Sequence, residues 1–274
     1  MLSVNTNMGA MAALQFLNQT QGDLQTTQSH INSGLKVASA KDNGAVYAIA
    51  QNMRGNVAGY AAVSDSLNRG VSTVDVAISA GQSISDLLNE LKGKALAAAD
   101  ASLDTASRNA LNADFTALRD QITTIVQNAS FNGTNMVDGS TANFQALASA
   151  DGTKKITVSG QTLSLSGSIV TVKSTSTIST QSKASTMVST VNSSIQNINA
   201  SLAKLAAGSK KFSIQATFVS KLVDTLNAGI GNLVDADMAV ESARLQSLQV
   251  KQQLGIQALS IANSAPSITL SLFR

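Results

Sequence analysis

Few residues of this chain have the types and spacing that an active site requires. His30 is the sole histidine and cysteine is absent, which excludes thiolate metal sites, cysteine nucleophiles and disulfides. His30 stands beside Ile31 in a segment of helical periodicity, so we interpret it as a polar helix position rather than a catalytic or metal-binding residue. Asp235 and Asp237 precede another such segment, where carboxylates ordinarily cap a helix and complement its dipole. The residues therefore predict no catalytic, metal or cofactor site.

The glycines and signature motifs support the same interpretation. Gly55, Gly59 and Gly70 lie within one long helical pattern that no strand precedes, so they do not form a phosphate loop and more readily permit close helix approach. The metalloprotease motif H-E-x-x-H and the nucleophile motif G-x-S-x-G are both absent. An enzyme with its activity in the middle of the chain is the alternative, but that region has no histidine and no convergent carboxylates.

Both ends of the chain carry almost no formal charge. Between Met1 and Leu35 the only formally charged side chain is Asp23, and between Gln252 and Phe273 there is none. A solvated helix normally keeps a charged face, and a disordered tail is normally rich in charge and poor in apolar residues. These ends fit neither description. We expect helices that are poorly covered in one copy and become buried when copies assemble.

Apolar residues recur at helical spacing in both of these ends. Leu17, Leu24 and Ile31 repeat every seven residues, and the last segment carries two apolar faces. Because two helices cannot cover four apolar faces, other copies must cover the remainder. The predicted assembly core consists of Leu14, Leu17, Leu24, Ile31, Leu35, Val250, Leu254, Leu259, Ile261, Leu270 and Leu272.

The segments between the ends predict three further helices and a small β region. A heptad seam from Val188 to Leu233 has Ser209 as its only polar member, with a break or bend expected near Gly229 and Gly231. A second helix is predicted for residues 45–99, and a third follows an N-cap at Asp104 or Thr105. The sequence predicts short strands at residues 155–159, 162–166 and 169–172. Aromatic residues are only 3%, so the core must be aliphatic.

Charge and hydropathy exclude several classes of function. The net charge of +3 is small and scattered, and no aromatic platform accompanies the basic doublets, so we expect no nucleic-acid partner. No run approaches about 18 apolar residues, and we expect no membrane span. No cleaved signal peptide is visible, so export would use another route. The Ser/Thr-rich stretch from Ser164 to Ser185 reads as a solvated connector, with O-glycosylation as the alternative.

Motifs in both ends resemble those of bacterial flagellins. The C-terminus from Gln252 to Arg274 is similar to the family ending QQ-x-G…L-x-x-AN-x-x-P…LSL-x-R. The short middle, with Lys36 and Asn43 as departures from the family pattern, is similar to the short alphaproteobacterial type. The other matching segments are Ser3-Val4-Asn5-Thr6-Asn7, Ser33-Gly34-Leu35-Lys36, Ser39-Ala40-Lys41-Asp42, Ala48-Ile49-Ala50 and Phe131-Asn132-Gly133.

This resemblance implies a mainly α fold in two domains. Residues 1–40 and 235–274 would pair as an antiparallel terminal coiled coil, the D0 domain of flagellins. Residues 41–234 would form an elongated helical bundle, the D1 domain, with small β-hairpins at about residues 140–175 and no separate outer domain. The joint between the two domains would comprise Ser39, Ala40, Lys41, Asp42, Asn43 and Gly44.

The resemblance also implies the function and the partners. The chain would be the structural subunit that polymerises into the flagellar filament for swimming motility, secreted to the cell exterior and without a cofactor. Its partners would be further copies in an open helical homopolymer, other flagellins, the hook-junction and filament-cap proteins, the export apparatus and a flagellin chaperone. The hook–filament junction protein of the same superfamily is the alternative. The resemblance leaves open which flagellin this is, and its protofilament number.

Overall fold

The computed structural model describes residues 6–271, with side chains over residues 6–264. It is mainly α, as the sequence predicted. The helices are α1 (Met8–Ser33), α2 (Gly44–Ala98), α3 (Thr105–Asn128), α4 (Gln181–Val234) and α5 (Met238–Ser271). Four short strands lie between α3 and α4, namely β1 (Ser130–Phe131), β2 (Thr134–Asn135), β3 (Asn143–Leu147) and β4 (Lys155–Ser159).

Side chains and a glycine fix the helix ends. The Asn7 side chain accepts a hydrogen bond from the Ala10 N–H at the start of α1, and Gly34 ends that helix with φ 72°. Such a left-handed cap favours glycine because it has no Cβ. Asp104, one of the two predicted caps, accepts from the Ser107 N–H at the start of α3. These local bonds satisfy backbone groups that a helix end leaves open.

The chain divides into two compact units. One contains the residues up to Gly55 together with those from Thr225 onward, and the other contains Asn56–Asp224. The first unit thus includes residues 41–55 and 225–234 besides the segments predicted for the terminal domain. The domain boundaries that we expect from the sequence, at residues 40 and 235, stay a prediction.

In the first unit α1 and α5 pack against each other in antiparallel directions. Asn7, at the start of α1, donates to the Ala262 carbonyl near the end of α5 at 2.6 Å. His30, near the end of α1, lies beside Glu241 in the first turn of α5. At the base of this pair the Lys36 N–H donates to the Val234 carbonyl at 2.7 Å, and the Ala236 N–H donates to the Gly34 carbonyl at 2.9 Å. The two helices therefore meet at a short backbone bridge.

The second unit holds the hydrophobic core. In one register of the predicted heptad seam the members from 191 to 219 are buried, namely Val191, Ile198, Leu205, Phe212 and Val219, whereas Leu226 and Leu233 are half-buried. In the companion register the members from 188 to 223 are half-buried. Leu67, Leu88 and Phe115 from α2 and α3 belong to this core. The α4 helix continues through Gly229 and Gly231 to Val234, so the expected break is wrong, since glycine only weakens a helix whose neighbours support it.

The β structure lies in other segments than predicted, except for residues 155–159. β1 and β2 form a tight hairpin whose turn residues, Asn132 and Gly133, both have positive φ. β3 pairs antiparallel with β4, from Asn143 opposite Ser159 to Leu147 opposite Lys155. The strands predicted at residues 162–166 and 169–172 are wrong. Leu163, Val170 and Val172 are buried there, so the alternation reflects anchoring of a loop on the core rather than a strand ladder.

Candidate assembly surface

The terminal helix α1 presents one covered and one uncovered apolar face. Leu17, Leu24 and Ile31 are half-buried, and Leu17 packs against Gly255 of α5. On other sides Met8, Met11 and Phe16 are exposed, Phe16 to 69%. An apolar stripe on a helix that stays in water needs a partner or a function. The uncovered face of α1 is therefore one half of a candidate docking surface.

The helix α5 has the same division. Leu248 is buried, and Leu245 and Leu259 are half-buried, whereas Val250, Leu254 and Ile261 are exposed, the last two to 58% and 70%. The two apolar faces that the sequence indicated are thus one face shielded within the unit and one open to solvent. Ile256 is exposed as well.

The predicted core residues fall into three groups. Leu14, Val250, Leu254 and Ile261 are exposed. The half-buried group is Leu17, Leu24, Ile31, Leu35 and Leu259. Leu270 lies on α5, but its side chain is outside the described side chains, and Leu272 is outside the described residues. Their role in assembly remains a prediction.

Heptad spacing missed two strongly exposed residues of α1. Phe16 and Met8 are the most exposed large apolar side chains of α1, and neither belongs to the Leu17–Leu24–Ile31 series. A second signal in the sequence points to Phe16. A large aromatic residue in a segment with little charge indicates an apolar surface that needs a partner. We define the outer apolar surface by its exposed members, Met8, Met11, Leu14, Phe16, Val240, Val250, Leu254, Ile256 and Ile261.

Polar groups concentrate at the base of the α1–α5 pair. His30 Nδ1 lies 3.1 Å from Glu241 Oε1, and the two side chains are only 15% and 11% exposed. Asp237 accepts hydrogen bonds from the Ala239 and Val240 N–H groups, which confirms the predicted capping role. Asp235 lies opposite Leu35 in an isolated β-bridge. Among the described residues no three His, Asp or Glu side chains form a metal-binding group.

The predicted joint is a hydrogen-bonded loop between α1 and α2. Asp42 Oδ2 accepts from the Ser39 N–H at 2.8 Å, the Ala38 N–H at 3.0 Å and the Ser39 hydroxyl at 3.2 Å. The backbone N–H of Ser39, more than the other donors, holds the pKa of the Asp42 carboxyl below its usual range. Asn43 Oδ1 accepts from the Val46 N–H in the first turn of α2. The loop thus has a defined conformation set by its own side chains.

None of the described helices has the length and hydropathy needed to cross a bilayer. One hollow of the second unit, of about 400 Å³, is lined by residues that include Gln161, Asn197 and Lys204. The residues around it offer one cation and several amides and hydroxyls, without a paired base and nucleophile. The surface that stands out chemically is the outer apolar surface of α1 and α5.

The sequence matches two family models. Residues 4–142 match the bacterial flagellin N-terminal helical region, and residues 188–273 match the bacterial flagellin C-terminal helical region. Flagellin FljK of Caulobacter vibrioides is 54% identical, over 99% of this chain and 98% of that protein. A flagellin of Brucella melitensis is 35% identical over the full length of both. A crystal structure of Bacillus cereus flagellin is matched over 65% of this chain with a TM-score of 0.42 and 17% identity, covering 92% of that chain.

Proposed function

The chain belongs to the bacterial flagellin family, and we propose that it polymerises through α1 and α5 as the structural subunit of a flagellar filament. The observation that carries the role of α1 and α5 is the outer apolar surface. It lies on helices that are already paired with each other, so their remaining apolar faces have no partner within the unit. Burial of apolar area contributes about 25 cal/mol per Å². Neighbouring copies would supply that burial.

The scarcity of charge on these helices supports the proposal. Over its described length α1 carries Asp23 as its only formal charge, and α5 carries Glu241, Arg244 and Lys251. Burying an unpaired charge is strongly unfavourable, whereas uncharged Asn, Gln, Ser and Thr can exchange water for hydrogen bonds to a neighbour. Such helices can enter a subunit interface along almost their whole length.

Assembly would also order the terminal helices. Fixing a residue costs about 1–2 kcal/mol of conformational free energy, and α1 and α5 offset it with one shared face only. Contacts with neighbours would offset the remainder, so folding of the ends and polymerisation would be one event. Head-to-tail contacts that do not close into a ring give an open helical polymer.

The family also suggests the partners and location that we propose. The filament would lie outside the cell, reached through the flagellar export apparatus with the help of a flagellin chaperone. Other flagellins, the hook-junction protein and the filament cap would contact the same terminal helices. The loop from Ser39 to Gly44 would be the joint between the terminal domain and the elongated helical domain, held by the Asp42 hydrogen bonds described above.

A charge placed on the outer apolar surface tests the proposal. Leu254→Asp puts a carboxylate where a neighbouring copy would bury the side chain, and we expect it to abolish growth on short filament seeds. Leu254→Met is the matched control, because it keeps the volume and the apolar character, and it should polymerise like the natural chain. Electron microscopy scores the filaments, and far-UV circular dichroism checks that the second unit remains helical.

The alternative outcomes are distinct. Normal filaments from the Leu254→Asp variant would refute the role of the outer apolar surface. Seeds that become capped without further growth of the natural chain would indicate a junction protein instead. Seeds that the natural chain neither extends nor caps would refute the polymer subunit.

A further inference from the structure

A side-chain hydrogen bond connects the two terminal helices near their base. His30 on α1 and Glu241 on α5 are 211 residues apart in the sequence, and their side-chain atoms Nδ1 and Oε1 are 3.1 Å apart. Both side chains are largely shielded from water. The second carboxylate oxygen of Glu241 is buried and has no hydrogen-bond partner among the described residues. The carboxylate therefore depends on His30 alone for a side-chain donor.

The other contacts between α1 and α5 are apolar or involve main-chain groups. Leu17 packs closely on Gly255, where an added Cβ would lie 3.3 Å from the Leu17 Cδ1 atom, so this contact also favours the observed register. The Asn7 amide bonds to a main-chain carbonyl, and the backbone bridge at residues 34–36 and 234–236 is likewise made of main-chain groups. His30 and Glu241 add a hydrogen bond between two side chains to these contacts.

The His30–Glu241 contact is specific to one register. Glu241 is the sole acidic residue of α5, and His30 is the sole histidine of the chain. A shift by about one helical turn, four residues, would place Leu245 or Asp237 opposite His30. Leu245 cannot accept a hydrogen bond, and the Asp237 carboxylate is already bonded to two N–H groups of α5. Either shift leaves Glu241 buried without its partner.

We propose that His30 and Glu241 are positioning residues that fix the register of α1 against α5. This inference rests on the proposed function, because the register decides which side chains form the outer apolar surface that neighbouring copies would cover. A buried polar pair is a known means of setting register, since a misaligned partner is left as an uncompensated buried charge.

The chain is suited to a cross-linking test because it contains no cysteine. A Cβ at Gly255 would lie 3.9 Å from the Leu17 Cβ, within the range that a disulfide joins. The double variant Leu17→Cys/Gly255→Cys thus reports the register of the structure. Leu17→Cys/Leu259→Cys reports a shift by one turn. Gel mobility separates these internal cross-links from links between copies, in soluble protein and in seeded filaments alike.

We expect the first cysteine pair to cross-link efficiently and the second poorly. His30→Ala or Glu241→Ala, added to each pair, should lower the ratio of native to shifted cross-link by about tenfold or more, because one partner of a buried pair is lost. His30→Gln should restore much of the ratio, since its amide can donate to Glu241.

The proposal would be overturned if both alanine variants left the ratio of native to shifted cross-link unchanged. It would also be overturned if the chain with His30 and Glu241 in place favoured the shifted cysteine pair. Should the alanine variants fail to fold by circular dichroism, His30→Phe and Glu241→Leu carry the same comparison, because these side chains keep the volume but cannot form the hydrogen bond. Filament growth is scored separately by electron microscopy, so soluble protein that cross-links but does not extend seeds would refute the proposed function and leave the register inference standing.

Discussion

Asp42 illustrates how one exposed side chain orders the loop after α1. Its carboxylate accepts from two backbone N–H groups and one hydroxyl, and these bonds hold its pKa below the usual range, the Ser39 N–H foremost. Hydrogen bonds to the ionised form stabilise that form in the folded chain. The stabilisation is therefore present at neutral pH and lost as the pH falls through the lowered pKa.

Replacing Asp42 should expose this pH dependence. Asp42→Ala should lower the melting temperature of the first unit at pH 7, and the deficit should shrink as the pH falls below about 4, where the natural carboxyl also loses its charge. Thermal unfolding followed by circular dichroism from pH 7 to pH 2 measures the difference. Asp42→Asn is the control, since an amide keeps one acceptor and does not titrate. A deficit independent of pH would show that the loop does not depend on the ionised carboxylate.

Single residues also mark the limit of what the sequence predicted. Asp237 and Asp104 are caps, as predicted, because a cap is formed by residues within a few positions of each other. His30 was predicted correctly as a helix residue, but its partner was not, because Glu241 is distant in sequence and the pairing depends on how two helices align. Local rules do not contain that information.

At the scale of elements, the hairpin of β3 and β4 packs closely on α4. Gly208 of α4 faces Val158 of β4, and a Cβ at Gly208 would overlap the Val158 Cγ1 atom. Gly93 of α2 has open space around its position. Both glycines are inside helices, where alanine is intrinsically favoured by about 1 kcal/mol. The same substitution at the two sites therefore separates helix propensity from packing.

We expect the two substitutions to act in opposite directions. Gly93→Ala should raise the free energy of unfolding by about 0.5–1 kcal/mol, and Gly208→Ala should lower it, because overpacking a closed site typically costs about 1–3 kcal/mol. Urea unfolding gives both values. Val158→Ala removes the methyl groups that a Cβ at Gly208 would overlap. The double variant Gly208→Ala/Val158→Ala should therefore lose less free energy of unfolding than the two single losses add up to. A stabilised Gly208→Ala variant would contradict close packing of the hairpin on α4.

Periodicity predicted the long helices well and the short strands poorly. The heptad register from Val191 to Val219 is buried throughout, because a repeated stripe on a long helix has one consistent way to reach a core. Residues 162–166 and 169–172 have the alternation of strands, yet no neighbouring strand pairs with them. An alternating pattern indicates which side chains are buried. Strand pairing also requires a second segment, which a local pattern does not specify.

The prediction of assembly residues had a similar limit. Heptad spacing selected residues of both the shielded and the outer faces, such as Leu17 and Leu254, because it registers apolar character and not which face meets α5 or α1. Phe16 was missed because it lies outside that spacing. The helices were predictable from local pattern, whereas the division of their faces follows from the pairing itself.

At the scale of the whole molecule, the two compact units differ in how completely they bury their apolar residues. The second unit encloses Phe115, Phe212 and Leu67 without exposure, and it meets the usual requirement of a stable core. In the first unit Leu248 and Val234 are buried, but the outer apolar surface remains uncovered. Local stability follows buried apolar contact. The first unit should therefore be the less stable of the two in a single copy.

Hydrogen exchange measures this difference directly. In free protein, amides of α1 and α5 should exchange fast and those of residues 191–219 slowly, because ordering costs about 1–2 kcal/mol per residue and the terminal helices share only one apolar face. In filaments grown on seeds, α1 and α5 should become protected while residues 191–219 change little. The Leu254→Asp variant mixed with seeds is the control and should keep the exchange rates of free protein. If α1, α5 and residues 191–219 are equally protected in the free natural chain, the terminal helices are stable alone. The coupling of their folding to assembly would then be rejected.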